Sequence, residues 1–170
     1  MNSVISDLKR QWSSAKSAQH RGKEIPFKLV CRFDTGTPDE ELCVVADGTP
    51  LELLQFWREA RAADLFVDAQ YGQWGLRILS PTQSIRKTAK LRVDSSAELI
   101  EGDLVVGEFL GDSDLLLVRC DPAARDYGCV LVVLPIDKRK DWPTIAANFS
   151  QFISRFAESS GDKFWENAAI

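Results

Sequence analysis

The chain has one histidine, His20, in 170 residues. Zinc chemistry needs several soft ligands at motif spacing, and one histidine with scattered cysteines does not supply them. The four cysteines (Cys31, Cys43, Cys120 and Cys129) form no CxxC pair. In a reducing compartment such cysteines read as small buried hydrophobes. No GxSxG, P-loop or GxGxxG motif occurs, so nothing nominates an activated serine or a phosphate cradle. A Ser–His or Cys–His pair would have to use His20, which lies in the polar stretch SAKSAQHRGKE and is expected to be a solvated loop residue. No apolar run reaches the roughly 18 to 20 residues that span a bilayer. MNSVISDLKRQW lacks the basic and apolar regions of a signal peptide. A cytoplasmic protein is expected. Excess positive charge is also missing. The net charge is −4 and the pI about 5.1, which disfavours a dedicated nucleic-acid binder.

What is present is ordinary globular composition, 45% hydrophobic and 27% charged, long enough for one domain with a core. Val4, Ile5, Leu8, Trp12 and Ala15 recur at helical spacing, predicting a helix over 3–16. FKLVCRF, 27–33, reads as a strand. TPDE at 37–40 and TPLE at 49–52 are two helix starts, with Thr37 as cap, Pro38 in the first turn and Glu40 able to bond back. Asp47-Gly48 breaks the first helix. The second, about 50–61, is expected to bury Leu53, Leu54 and Trp57.

Leu65-Phe66-Val67 is a short strand, AQYG a turn, and Trp74, Leu76 and Ile78 alternate as strand residues. Residues 82–102 are polar and ambiguous. Their basic run reads as a solvated helix or loop face rather than a phosphate clamp. Strands follow at 103–110, 115–121 and 129–136, and their short connections favour antiparallel neighbours. A strongly amphipathic helix is expected from about Pro143, carrying Ile145, Phe149, Phe152, Ile153 and Phe156. The fold class is α+β: one domain with a central antiparallel sheet flanked by helices.

The stretch GEFLGDSDLLLVRCD, 107–121, holds four carboxylates. Asp112 and Asp114 fall in a hairpin turn, where Asp satisfies backbone N–H groups. Strict alternation puts Leu104, Val106, Glu108 and Leu110 on one face. Glu108 then becomes a possible cross-strand partner for Arg119, depending on register. A calcium loop would be longer and closed by another carboxylate. The stretch therefore reads as a hairpin.

The order of these pieces resembles the SMI1/KNR4 family, the SUKH superfamily. The resemblance lies in the LxxFW helix (Leu53 to Trp57), LFVDAQYGQWGLRIL (65–79), DLVVGEFLGDSDLLLVRCD (103–121), YGCVLVVLPIDKRKDWP (127–143), FSQFISRF (149–156) and GDKFWE (161–166). It covers roughly residues 37–166, with residues 1–36 as an N-terminal helix and strand integral to that domain or flanking it. The resemblance implies a non-catalytic immunity protein that binds a cognate toxin, often a nuclease, and blocks it. Fungal members imply a regulatory interaction module instead, and a small enzyme of unrecognised type is a third reading. No cofactor, metal, direct nucleic-acid or membrane contact is expected, and the chain is expected to be a monomer or weak dimer. The candidate contacts are Tyr71, Trp74, Glu108, Asp112 and Asp114: aromatic anchors with a charged rim. For Trp74 the competing reading is core, and for Asp112 it is turn.

Overall fold

In a computed structural model, residues 2–45, 47–94 and 98–168 are described. Helix α1 (Asn2–Gln11) leads to a two-stranded hairpin, β1 (Gln19–His20) and β2 (Lys23–Glu24). A seven-stranded sheet begins with β3 (Leu29–Phe33). Helices α2 (Asp39–Leu42) and α3 (Leu51–Glu59) come before β4 (Ala63–Asp68) and β5 (Leu76–Ile78). Helix α4 (Pro81–Val93) separates β5 from β6 (Asp103–Phe109). Then come β7 (Leu115–Arg119), β8 (Val130–Val133), β9 (Thr144–Ala146) and α5 (Phe149–Glu158). The sheet order is β3-β4-β5-β6-β7-β8-β9 and every pairing is antiparallel, so the sheet follows chain order. The fold is α+β.

One face of the sheet carries the main core. Ile5 and Leu8 of α1 with Trp12 just after it, Leu53, Phe56 and Trp57 of α3, and the four buried residues of α5 pack there against Leu65, Leu76, Val106 and Leu116. Edge-on ring pairs lock the layers: Trp12 on Phe66 at 4.9 Å, Phe56 on Phe149 at 5.4 Å and Phe66 on Phe156 at 5.5 Å. A smaller cluster lies on the opposite face, where Val105, Leu115, Leu117, Leu131 and Val133 meet Trp142 and Leu91. Strands β7 and β8 are buried on both faces, which is why LLLV and VLVV are continuous apolar runs rather than alternating ones.

Several elements differ from the sequence expectation. The first helix ends at Gln11 rather than 16, because residues 12–16 run along the edge of β3. Cys31 donates to the Trp12 carbonyl and Leu29 to that of Lys16. Helix α2 is capped by Pro38 with no side-chain bond, while the Thr37 N–H donates to the Trp57 carbonyl. Helix α3 buries Phe56 in the place expected for Leu54, which is half-buried. The ambiguous polar stretch forms α4 as far as Val93, opened by a reciprocal capping box between Ser80 and Gln83, and its residues 95–97 lie outside the described residues. Pro143 does not start the last helix: Thr144–Ala146 pair with β8, and Asn148 caps α5 by accepting from the Gln151 N–H. His20 is buried rather than solvated, with Nε2–H donating to the Ser160 carbonyl at 3.0 Å and its ring beside Trp74.

Alternation also fails on β6. A register shift between Val105 and Gly107 sends both Val106 and Phe109 into the main core. The register set by the 111–114 turn places Glu108 opposite Leu115, not Arg119. Arg119 instead faces Asp103 across β6 and β7.

Candidate protein-binding surfaces

Three of the five sequence candidates, Trp74, Asp112 and Asp114, meet the C-terminal GDKFWE segment, Trp74 from the β4–β5 turn and the two aspartates from the β6–β7 turn. The Asp112 carboxylate accepts from the Asp114 N–H, which shapes the turn. Both carboxylates hold the ammonium of Lys163, directly at Asp112 and at 3.3 Å from Asp114. Lys163 also lies over the Phe109 ring. The cation served by this acidic stretch is thus the protein's own lysine.

Burial and the adjacent Asp112 charge push the Asp114 carboxyl above its ordinary value, with Lys163 acting the other way. Burial also works against the Lys163 ammonium, but the Asp112 hydrogen bond and the two carboxylate charges outweigh it and its pKa is raised. The web continues through Glu166 to Arg21, which also reaches buried Asp162.

Trp74 is half-buried. Its indole N–H donates to the Gly161 carbonyl at 3.2 Å, and its ring packs near His20 and Phe27. Tyr71 is open, 70% exposed, its hydroxyl accepting from Gln70. Glu108 belongs to a different network. It sits in a row of alternating charge across four strands, Arg32, Asp64, Arg77 and Glu108, and pairs with Lys87 of α4 at 2.6 Å.

A second surface contains none of these residues. A groove of about 660 Å³ opens between the corner joining α2 to α3, helix α4, the start of β6 and the segment after β7. Val44, Val45, Ile85, Leu104 and Pro122 give it apolar walls, and Asp47, Glu101 and Asp121 supply carboxylates. Val44 is 50% exposed. Tyr127, 41% exposed, stands beside it: burial, with Cys120 and Glu52 close by, raises the pKa of its phenol. None of Asp47, Glu101 and Asp121 has an ion pair among the described residues.

The groove is built on rigid parts. Thr88 of α4 donates to the Ser84 carbonyl and accepts the Val105 N–H, fixing the helix to the β6 irregularity. Beneath the groove, the Asp103 side chain is fully buried and that of Arg119 is 3% exposed. Asp103 accepts from Arg119 at 2.7 Å, from both Arg139 terminal nitrogens and from the Ile100 N–H. Arg119 also donates to the Glu101 carbonyl and to Asp126. This node joins β6, β7, residues 98–101 and the turn Arg139–Asp141, and so positions Glu101 and Asp121. Gly102 (φ +78°) allows the segments before β6 and after β7 to approach, since a Cβ there would lie 2.6 Å from that of Asp121.

Apolar walls beside rim carboxylates that have no ion pair among the described residues suit contact with another macromolecule. Cys120 lines the groove, but burial pushes its thiol up to about 12, as it does that of Cys31. Both are therefore thiols near neutral pH, the weakly nucleophilic form. Among the described residues no three His, Cys, Asp or Glu side chains converge as metal ligands, and no helix is long and apolar enough to cross a membrane.

Sequence reasoning missed the groove because its walls come from four separated segments. The one local signal was the Asp47-Gly48 break, which makes the corner. The chain matches no protein-family model and no curated protein.

Proposed function

We propose that this protein is a non-catalytic binding domain that neutralises a cognate toxin protein by covering its working surface, as bacterial immunity proteins do. The observation that carries the reading is the groove: apolar walls, the half-exposed Val44, and three carboxylates without ion pairs among the described residues. An interface core of apolar and aromatic side chains inside a charged rim is the usual recipe for a specific complex. The net charge of −4 favours encounter with a cationic partner such as a nuclease domain. Exposed Tyr71 on the β4–β5 turn is a further candidate contact, apart from the groove.

The test is co-expression. The product of the adjacent gene is placed under tight induction with and without this chain, and surviving cells are counted. Rescue together with a co-purifying one-to-one complex supports the reading. A neighbour that kills equally in both cases ends that pairing and turns attention to a regulatory host partner. Two sets of variants then assign the face. Asp47→Lys with Asp121→Lys perturbs the groove, and Tyr71→Ala perturbs the other end without breaking the Lys163 pairs.

A further inference from the structure

We propose that the groove receives one amphipathic, lysine- or arginine-rich helical segment of the partner. Its apolar stripe seats on Val44, Val45, Ile85 and Leu104, and its cations face Asp47, Glu101 and Asp121. The inference rests on the groove being the protein-binding face and goes further by fixing the shape and charge of what enters.

Charge complementarity sets the sign. Five ionisable side chains line the groove besides the Cys120 thiol: Asp47, Arg92, Glu101, Asp103 and Asp121. Asp103 is taken by Arg119 and Arg139. The Arg92 guanidinium is directed to the carbonyls of Ile100 and Asp103. The three remaining carboxylates carry no ion pair among the described residues, so the groove presents net negative charge beside apolar surface. A cationic segment gains from both, whereas an anionic one meets like charge, which is how such surfaces reject wrong partners.

Backbone hydrogen bonding sets the shape. Extended peptides add to a sheet by pairing with a free edge. The β3 edge is occupied by residues 12–16, and at the β9 edge Arg155 donates to the Ile145 carbonyl. The groove is walled by α4, the α2–α3 corner and the ends of β6 and β7, and both of those strands are already paired on their two sides, so no strand edge opens into it. It offers side chains rather than a ladder. A guest must therefore satisfy its own backbone, as a helix does. The walls of Ile85 and Ala89, four apart on α4, match the spacing of a helical stripe.

The experiment uses the full chain and a leucine–lysine amphipathic peptide of about 15 residues, near the length at which isolated helices become stable. Amide shifts on titration are expected at Val44, Ile85, Ala89 and Leu104, with helical circular dichroism induced in the peptide and affinity falling as salt rises. The triple variant Asp47→Lys, Glu101→Lys, Asp121→Lys should weaken this binding by roughly tenfold. It should also gain binding to the same peptide with glutamate in place of lysine. Val44→Arg, at an exposed position, should block the lysine peptide.

Shifts centred elsewhere, equal binding of the lysine and glutamate peptides, no binding, or indifference to the triple variant overturn the inference. The toxin reading fails separately. If the triple variant loses the peptide but still rescues cells, the groove is not the toxin face and the neutralising function stands.

Discussion

The buried node under the groove gives the sharpest stability prediction. Asp103 has no exposed side-chain area, and its two oxygens accept four hydrogen bonds, three from guanidinium groups and one from the Ile100 N–H. Replacing it by alanine leaves Arg119, 3% exposed, with only Asp126 and the Glu101 carbonyl. Removing one partner of a buried pair costs about 3–5 kcal/mol, because the other charge stays desolvated. Asp126 is half-exposed and Arg139 can turn to water, so Asp103→Ala is expected at the lower end, about 3 kcal/mol. In a protein of this size that lowers Tm by about 6–12 °C.

Arg119→Met should cost less, since Asp103 keeps Arg139 and the Ile100 N–H. The double variant should cost less than the sum of the singles by about 1–3 kcal/mol, the signature of groups sharing one network. Urea unfolding of the four proteins, with unchanged m-values as the check on comparability, supplies the cycle. Singles below about 1 kcal/mol, or strict additivity, would refute the idea that this node holds the ends of β6 and β7 in place.

Three other predictions follow from separate parts of the molecule. The Asp114 carboxyl is raised by burial and by Asp112, so the folded protein holds that proton more tightly than the unfolded chain. Its contribution to stability falls as pH rises from the ordinary carboxylate value of 3.8 through the raised one. Asp114→Asn should therefore be neutral or slightly stabilising at neutral pH and flatten the acid-side stability profile. A loss above about 1 kcal/mol in urea unfolding contradicts this. Gly48 has φ +105°, and a Cβ there would lie 2.7 Å from the Cys120 carbonyl oxygen; Gly48→Ala should cost about 1–3 kcal/mol and perturb amide shifts around Val44 and Pro122. In the native protein a thiol reagent at neutral pH should modify exposed Cys43 quickly. Cys31 and Cys120, pushed up to about 12 by burial, should react only on unfolding, and rapid early loss of either thiol by mass spectrometry defeats the argument.

Where a local rule had one physical cause, it read correctly. The apolar spacing of Phe149, Phe152, Ile153 and Phe156 makes α5, and all four are buried. GDSD makes a turn because Asp112 can serve the Asp114 N–H. Rules failed where a distant contact outweighed a local preference. Residues 12–16 continue a helical pattern, yet their backbone pairs with β3. Thr37 looks like a cap, but Pro38 holds the cap position without a side-chain bond, and the Thr37 N–H is tied to the Trp57 carbonyl. Alternation left Glu108 and Arg119 as possible partners, but the register set by the hairpin puts Glu108 opposite Leu115 and Arg119 opposite Asp103.

The sequence by itself determined the α+β class, most of the strands, the hairpin at 111–114 and the acidic balance, because periodicity, turn chemistry and charge are properties of adjacent residues. Tertiary structure decided which carboxylates are neutralised. Asp112 and Asp114 are close in sequence, but the lysine that answers them is at 163. Asp47, Glu101 and Asp121 lie far apart, and only the folding of α4 and the α2–α3 corner onto β6 and β7 brings them to one apolar groove. Ion pairing and concavity depend on distance in space, which one-dimensional order encodes only through the whole packed fold.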